Sequence, residues 1–382
     1  MVGYLLYPLR SDSHATGSPK LVPPVIAAYV YPGWHPCPER DKAFPPGWSE
    51  WDLVLSAQPH FPGHRQPNLP LDGPYDDSDP ATAARQVRLA RSFGLDLFVY
   101  GFFWSRGKRV LQRALDQGFL GALEPFPFAL MWANRMPRRV LPVKRTRGSE
   151  IHPSRLVYTD PEDFLDLVRY VEERYFRLSS YFKVQGRPLF SIFDSTFFVR
   201  QMGRKTAARA IGLARDFLRS RGYPDFFLLA LNPAPALIPE LRSLGFDGAS
   251  HYVLLPEWKG EYLQEYRSLA RLRQSQWPEI QRDCGLPYFP SVSPGWDATP
   301  RAAIHGSRKV RRYPWWPVVV GRDPGLFRNH LLEALRFSSG KTEIGLTFIA
   351  SWNEWSEGHY LEPDHTFGSA WLEAVRDARS CL

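Results

Sequence analysis

Short apolar runs recur along this chain, and most are followed by a helix-like or loop segment. The runs are Val25–Tyr31, Leu95–Phe103, Phe126–Ala133, Pro188–Phe193, Phe226–Leu231, Gly248–Leu254, Tyr288–Val292 and Ile344–Ala350. They are short, apolar throughout and bounded by turn residues, which is how strands buried on both faces read. Amphipathic stretches at Pro80–Phe93, Pro161–Phe176, Arg204–Arg221, Ala234–Leu244 and Leu326–Phe337 lie between them. Strands alternating with helices imply parallel pairing through crossovers, and eight such units predict an α/β fold, a single (β/α)8 TIM barrel with long βα loops. Residues 1–20 read as an irregular tail and 21–382 as the barrel.

The residues that follow each run sharpen this reading. In order, the runs lead into Trp34-His35, Trp104, Asn134, Asp194, Asn232, His251-Tyr252, Trp296-Asp297 and Asn353-Glu354. Polar and aromatic groups thus collect at the carboxyl ends of strands, where barrel enzymes build their sites. An open doubly wound sheet would instead concentrate them at a switch point. The segment Pro32–Pro80 is long for a βα connection and carries Trp48, Glu50, Trp51, His64 and Gln66, so it is expected to cover the barrel mouth.

Composition narrows the function. The chain is 44% hydrophobic and 23% charged, as a globular protein with a substantial core is, and its 13 Trp are a surplus that means either an unusually ring-rich core or clefts lined with rings. The formal charge is +9, but the basic residues are dispersed, with only short clusters at Arg138–Arg147 and Arg308–Arg312. No nucleic-acid motif accompanies them, so a basic enzyme surface is expected rather than a nucleic-acid partner. Cys37, Cys284 and Cys381 are odd in number and far apart, which implies neither a disulfide framework nor a metal site. No apolar run approaches a membrane span and no signal-peptide pattern opens the chain, so a cytoplasmic location is expected. Walker, GxGxxG, GxSxG and HExxH patterns are absent, and no cofactor is expected.

The chemistry concentrates in Ile349–Asp364, IASWNEWSEGHYLEPD. Three positions apart on a turn or short helix, Glu354 and Glu357 would face the same side, with Cβ atoms roughly 5–6 Å apart. Such spacing suits a retaining glycosidase pair, whose carboxyls sit about 5–5.5 Å apart. By excluding water, Trp355 between them could raise one pKa and make that glutamate a usable acid. The competing reading is a pair of exposed helix-start glutamates. Substrate contacts are expected from His35, Glu50, Trp51, Trp104, Trp132, Asn134, Asp194, Trp296, Asp297, Asn353 and Trp355. Glu50-Trp51 repeats the Glu354-Trp355 pairing and suggests a second sugar subsite. Asp297, just before Ala298-Thr299-Pro300, could equally serve a turn.

These motifs resemble a known family. SWNEWSEGHYLEPD followed by FGSAWLEA looks like the C-terminal signature of the WbsX-type, glycoside hydrolase family 99-like proteins. AYVYPGWHPCPE, GWSEWDLV, FPGHRQPNLPLD, GLDLFVYGFFW, FPFALMWAN, GRPLFSIFD and SPGWDATPR match in order, covering most of residues 25–378. The resemblance implies a TIM barrel, a carbohydrate substrate and a mechanism without metal or nucleotide. It implies Glu357 as general acid/base and Glu354 as the base that helps the sugar's own 2-hydroxyl attack, with net retention. Members have been labelled glycosyltransferases as well as hydrolases. Where the group follows its third strand with Trp-Ala-Asn-Glu-Asn-Trp, this chain has Trp132-Ala133-Asn134-Arg135-Met136-Pro137, and Arg135 makes an anionic sugar conceivable. The leading expectation is a retaining glycosidase or transglycosylase acting on a bacterial-type polysaccharide. The alternatives are a surface-polysaccharide glycosyltransferase and a non-catalytic glycan-binding barrel.

Overall fold

The computed structural model describes residues 24–42, 44–134, 159–305, 310–340 and 344–382. The expected tail at 1–20 and the Arg135-Met136-Pro137 segment lie outside the described residues. Eight parallel strands form the centre: β1 Val25–Val30, β2 Leu97–Ser105, β3 Phe128–Trp132, β4 Arg187–Ile192, β5 Phe227–Leu231, β6 Gly248–Ser250, β7 and β8 Leu346–Ile349. β7 is split into Tyr288–Phe289 and Ser291–Val292 around Pro290. Its first half pairs with β6 and its second half with β8, while β8 pairs with β1. Each remaining neighbour pairs in parallel, so the ring closes as a (β/α)8 barrel.

The split has a simple cause. Proline has no N–H for the ladder, but its carbonyl still accepts from Phe348 N at 2.9 Å.

All eight apolar runs of the sequence become barrel strands, and almost every strand residue is buried. Helices α1 Pro80–Ser92, α2 Pro161–Val171, α3 Ser195–Met202, α4 Arg204–Ser220, α5 Tyr266–Cys284, α6 Pro324–Ser338 and α7 Ala370–Ser380 surround them. Their starts are written locally. Asp79, Asp160 and Asp323 each precede a proline and accept backbone N–H groups of the first turn, at 3.0 Å from Ala81, 2.8 Å from Asp163 and 3.0 Å from Leu326. The aspartate satisfies an orphan donor, and the proline occupies a position that needs none. The expected Ala234–Leu244 helix is instead a 3-10 turn, Pro235–Glu240, with one α-turn after it. Pro239 lies inside it and removes a helix donor.

The long β1 connection packs onto the carboxyl ends of the strands. His64 Nε2 and Gln66 Nε2 reach Asp297 Oδ2 at 2.7 and 2.5 Å, and Leu71 N donates to Pro363 O at 2.8 Å. No helix among the described residues is long and apolar enough to cross a membrane.

Candidate active site

Beyond β8 the chain folds into a miniature hairpin, in which Asn353–Glu354 pairs antiparallel with His359–Tyr360. Trp355–Glu357 forms a 3-10 turn between the two strands, and Gly358 ends it at φ 68°. A Cβ on Gly358 would lie 2.8 Å from the Asp297 backbone nitrogen, so glycine is required by both conformation and space. Ser351 Oγ locks the hairpin by accepting from Glu354 N at 2.8 Å and donating to His359 O at 2.9 Å. In a 3-10 turn, side chains three apart eclipse one another. Glu354 and Glu357 accordingly reach the same guanidinium.

That guanidinium belongs to Arg301, on the 3-10 segment Thr299–His305 after β7. Its Nη2 lies 2.7 Å from Glu354 Oε1, and its Nη1 donates to Glu357 Oε1. Its Nε lies 2.7 Å from Glu50 Oε1. Glu50 is further held by Arg40 Nη2 at 2.9 Å, by the Tyr31 hydroxyl and by Ser356 Oγ. Tyr252 OH donates to Glu354 Oε2 at 2.5 Å, while Tyr313 OH donates to Glu357 Oε1 at 2.6 Å. His359 Nε2 lies 3.4 Å from Glu357 Oε2. Side-chain exposure is 2% for Glu50, 4% for Glu354, 10% for Glu357 and 11% for Arg301, so the cluster meets solvent only on the Glu357–Arg301 side.

Burial and charge divide the pair. Burial, with the negative charges of Glu357 and Glu50 nearby, outweighs Arg301 and raises Glu354 to about 8. Burial acts on Glu357 too, but there Arg301, His359 and Tyr313 prevail and hold it down at about 2. At neutral pH one carboxyl is therefore an acid and the other a carboxylate. This division runs opposite to the roles implied by the family resemblance, in which Glu357 is the acid. Burial also lowers His359, leaving it a neutral donor.

Of the expected substrate-binding residues, Glu50 joins the pair directly rather than forming a separate subsite. Trp296 borders the cluster, with its ring stacked on His359 at 5.5 Å. Asp297 ties His64 and Gln66 to Thr299, whose N and Oγ1 lie 3.0 and 2.7 Å from Oδ1, so it holds two loops together as well as its own turn. Asn353 accepts from Tyr31 N at 2.8 Å and donates to Tyr31 O at 3.1 Å, stapling the end of β8 to β1. Asn134 and Asp194 bond reciprocally at 2.8 and 2.9 Å, and Asp194 also caps α3.

The other rings pack into protein. Trp104 donates to Asp163 on α2 at 3.1 Å, and Trp132 lies against Phe164 and Phe198 of α2 and α3. Both point out of the barrel into the helix layer, because alternate strand residues face opposite sides. Trp51 packs tilted against Trp34 at 4.1 Å, and Trp355 stacks on Tyr360 at 3.7 Å. His35 Nδ1 lies 2.5 Å from Asp77 Oδ1. Among the described residues His35, Asp76 and Asp77 have the spacing of a metal site. Asp77 already bonds His35 and Trp34 N, however, and Asp76 bonds Ser78.

Sequence reasoning passed over Arg301, Arg40, Tyr31, Tyr313 and His359. Arg301 closes the motif SPGWDATPR, but neither composition nor spacing paired it with the glutamates. It also passed over Trp258, at 50% exposure the one exposed tryptophan among the described residues, which packs edge-on against Trp296 at 4.9 Å.

The family described as "Glycosyltransferase WbsX" matches residues 25–375. The protein WxcX of Xanthomonas campestris pv. campestris, itself uncharacterized, is 31% identical over 395 residues, covering 97% of this chain and 52% of that protein. A second WxcX, from strain B100, is 30% identical with the same coverage. The chain thus spans about half the length of these curated relatives. Among solved structures, the GH99 endo-alpha-mannosidase from Bacteroides thetaiotaomicron superimposes with a TM-score of 0.58 at 16% identity, covering 94% of this chain and 99% of that one. A "Glycoside hydrolase-like protein" superimposes equally well, at 15% identity, covering 93% of this chain and 94% of that one. Both likenesses are of fold.

Proposed function

This chain belongs to the WbsX family, and on that premise we propose that it is a retaining glycosidase or transglycosylase acting on a carbohydrate chain. The observation that carries the reading is the Glu354–Glu357 pair beyond β8, at the carboxyl mouth of the barrel, both held by Arg301, with burial raising the first carboxyl and its cationic and hydroxyl neighbours lowering the second. Glycosidic cleavage needs that combination. An acid gives its proton to the departing oxygen as the bond from the anomeric carbon breaks, and a carboxylate takes the proton of the attacking hydroxyl. Tyr252 and Tyr313 orient the two carboxyls, while Trp258 offers an exposed ring face to a sugar beside Trp296. None of these roles calls for a metal or nucleotide.

The test is a screen of oligosaccharides, acidic and furanosidic ones included, with the released anomer followed by NMR. Retention by the wild type and at least ~10²-fold loss in Glu357→Gln are expected. Full activity of Glu357→Gln on a substrate the wild type cleaves would sink the assignment.

The family's own description favours a second reading, transfer of a glycosyl group to an acceptor hydroxyl instead of water. Tight calorimetric binding of a nucleotide-sugar would support it over the first.

A further inference from the structure

The hydroxyl that meets Glu354 comes from a residue that its own strand does not hold. β6 ends at Ser250, and Tyr252 lies two residues beyond it. Two side chains from the neighbouring strands hold the Tyr252 backbone instead. Asn232, just after β5, accepts from Tyr252 N through Oδ1 at 3.0 Å. Ser291, in the second half of β7, donates from Oγ to Tyr252 O at 2.7 Å. The backbone is therefore fixed from both sides, while the phenol at the far end of the side chain donates to Glu354 Oε2 at 2.5 Å.

Asn232 also acts on the ring. Its Nδ2 donates to Phe193 O, at the end of β4, at 2.8 Å. The Phe193 ring packs edge-on against the Tyr252 ring at 5.4 Å, and Tyr29 and His359 bound the same ring at 4.8 and 5.9 Å. Asn232 holds this place at φ 50°, in the left-handed region. Asparagine tolerates that region better than most residues do, but glycine adopts it more freely still. Were conformation the sole need, glycine would serve. The side chain instead uses its acceptor on Tyr252 N and its donor on Phe193 O.

We propose that Asn232 and Ser291 are positioning residues: together they clamp the Tyr252 backbone so that its hydroxyl rests on the Glu354 carboxyl at the barrel mouth. The clamp's purpose rests on the glycosidase reading, but its geometry stands without it. Among the described residues Tyr252 is the one hydroxyl that bonds the Glu354 carboxyl, since Tyr313 addresses Glu357 and Tyr31 and Ser356 address Glu50. Its donation favours the ionised carboxylate, so a Tyr252 that drifts makes Glu354 harder to ionise. Glu354 also feels Arg301, Glu357 and Glu50. None of these three hydrogen-bonds Asn232 or Ser291 among the described residues, so the influence of the clamp passes through Tyr252.

The experiment needs no substrate. In protein labelled with [δ-13C]glutamate, the Glu354 carboxyl resonance is assigned with Glu354→Gln and followed against pH. Tyr252→Phe should raise its midpoint by about one pH unit, the worth of one hydrogen bond to a charged group. Asn232→Gly keeps the left-handed backbone but removes both side-chain bonds, and should raise the midpoint by roughly half a unit to one unit. Ser291→Ala should give a smaller rise, and it answers the question if Asn232→Gly does not fold. Adding either change to Tyr252→Phe should raise the midpoint no further. An unmoved midpoint in folded Asn232→Gly or, where that variant does not fold, in Ser291→Ala would overturn the proposal. So would shifts that add to the Tyr252→Phe shift, because a merely structural staple does not act through Tyr252. On any glycan the wild type cleaves, the same variants should lower kcat several-fold with KM nearly unchanged. Failure to cleave any glycan would sink the hydrolase reading while leaving this titration intact.

Discussion

Two buried acid sites lie on either side of Trp355, and they keep their carboxyls buried by different means. On one side Glu354 and Glu357 share Arg301. On the other, Glu362 has no cation in contact among the described residues and accepts from Tyr75 OH at 2.6 Å, Gln86 Nε2 at 2.7 Å and Trp355 Nε1 at 2.8 Å. It forms part of the wall of a cavity of about 470 Å³ that also touches Leu71, Arg85 and Leu89. Burial, opposed by those three donors and by the charge of Arg85, raises Glu362 to about 7. Burial acting beside a cation leaves one glutamate near 8 and the other near 2. Burial thus makes a carboxyl easy to protonate even where neutral donors favour its ion, whereas the Glu354–Glu357 cluster, with a cation in contact, holds two carboxyls far apart in acidity. Difference is what acid–base catalysis requires.

The contrast can be broken most forcefully at the cation. Arg301→Met strands Glu357 without its charge partner, leaving Glu50 only Arg40, and should cost ~3–5 kcal/mol in urea unfolding at neutral pH. Glu362→Gln keeps an acceptor for the neutral donors and should cost only about 1 kcal/mol. Equal losses would show that Arg301 is no more than another donor. Activity should separate the sites next. On any glycan the wild type cleaves, Glu354→Gln or Glu357→Gln should lower kcat/KM by at least ~10²-fold, and Glu362→Gln by less than ~10-fold.

Stability against pH tests the same contrast at lower amplitude. Glu362 and Glu354 are raised from an ordinary 4.5 to about 7 and about 8. The stabilisation from their protonated forms is therefore complete below 4.5 and lost as the pH climbs through 7 and 8. Glu357 is lowered from 4.5 to about 2, so its contribution is present above 4.5 and disappears as the pH falls toward 2. Melting temperature should peak in mildly acidic buffer and decline on both sides, and Glu362→Gln should flatten the alkaline decline alone. The smallest effect is expected at the rim. Trp258→Ala should change stability by less than ~0.5 kcal/mol and raise KM for longer glycans about two- to tenfold, as the loss of one stacking face would.

The barrel was legible because each strand is buried on both faces and reads as an uninterrupted apolar run. That same property hid which way individual rings point. Trp104 and Trp132 end β2 and β3 and Trp296 comes just beyond β7, but the first two face the helix layer and the third faces His359. A run without alternation carries no mark of inside or outside. Helices α5 and α7 went unrecognised for a different reason. α5 carries Pro278 in its interior, and the sequence around α7 was read as a motif rather than as a periodic segment. The Glu354–Glu357 convergence was legible from a spacing of three. Arg301 was not, because it lies 53 positions before Glu354 and 251 after Glu50, and only closure of the barrel brings them together.

The break at Pro290 bears on how this barrel breathes. Every other junction between strands is a continuous ladder, but β6 and β8 are joined only through two dipeptides on either side of a residue that cannot donate. In amide hydrogen exchange the earliest sub-global opening should therefore unzip along this line, exposing the Phe348 and Ala350 amides before those of β2 and β3. β8 leads directly into the Glu354 hairpin, so the most easily parted edge of the cylinder is also the one that carries the candidate catalytic groups.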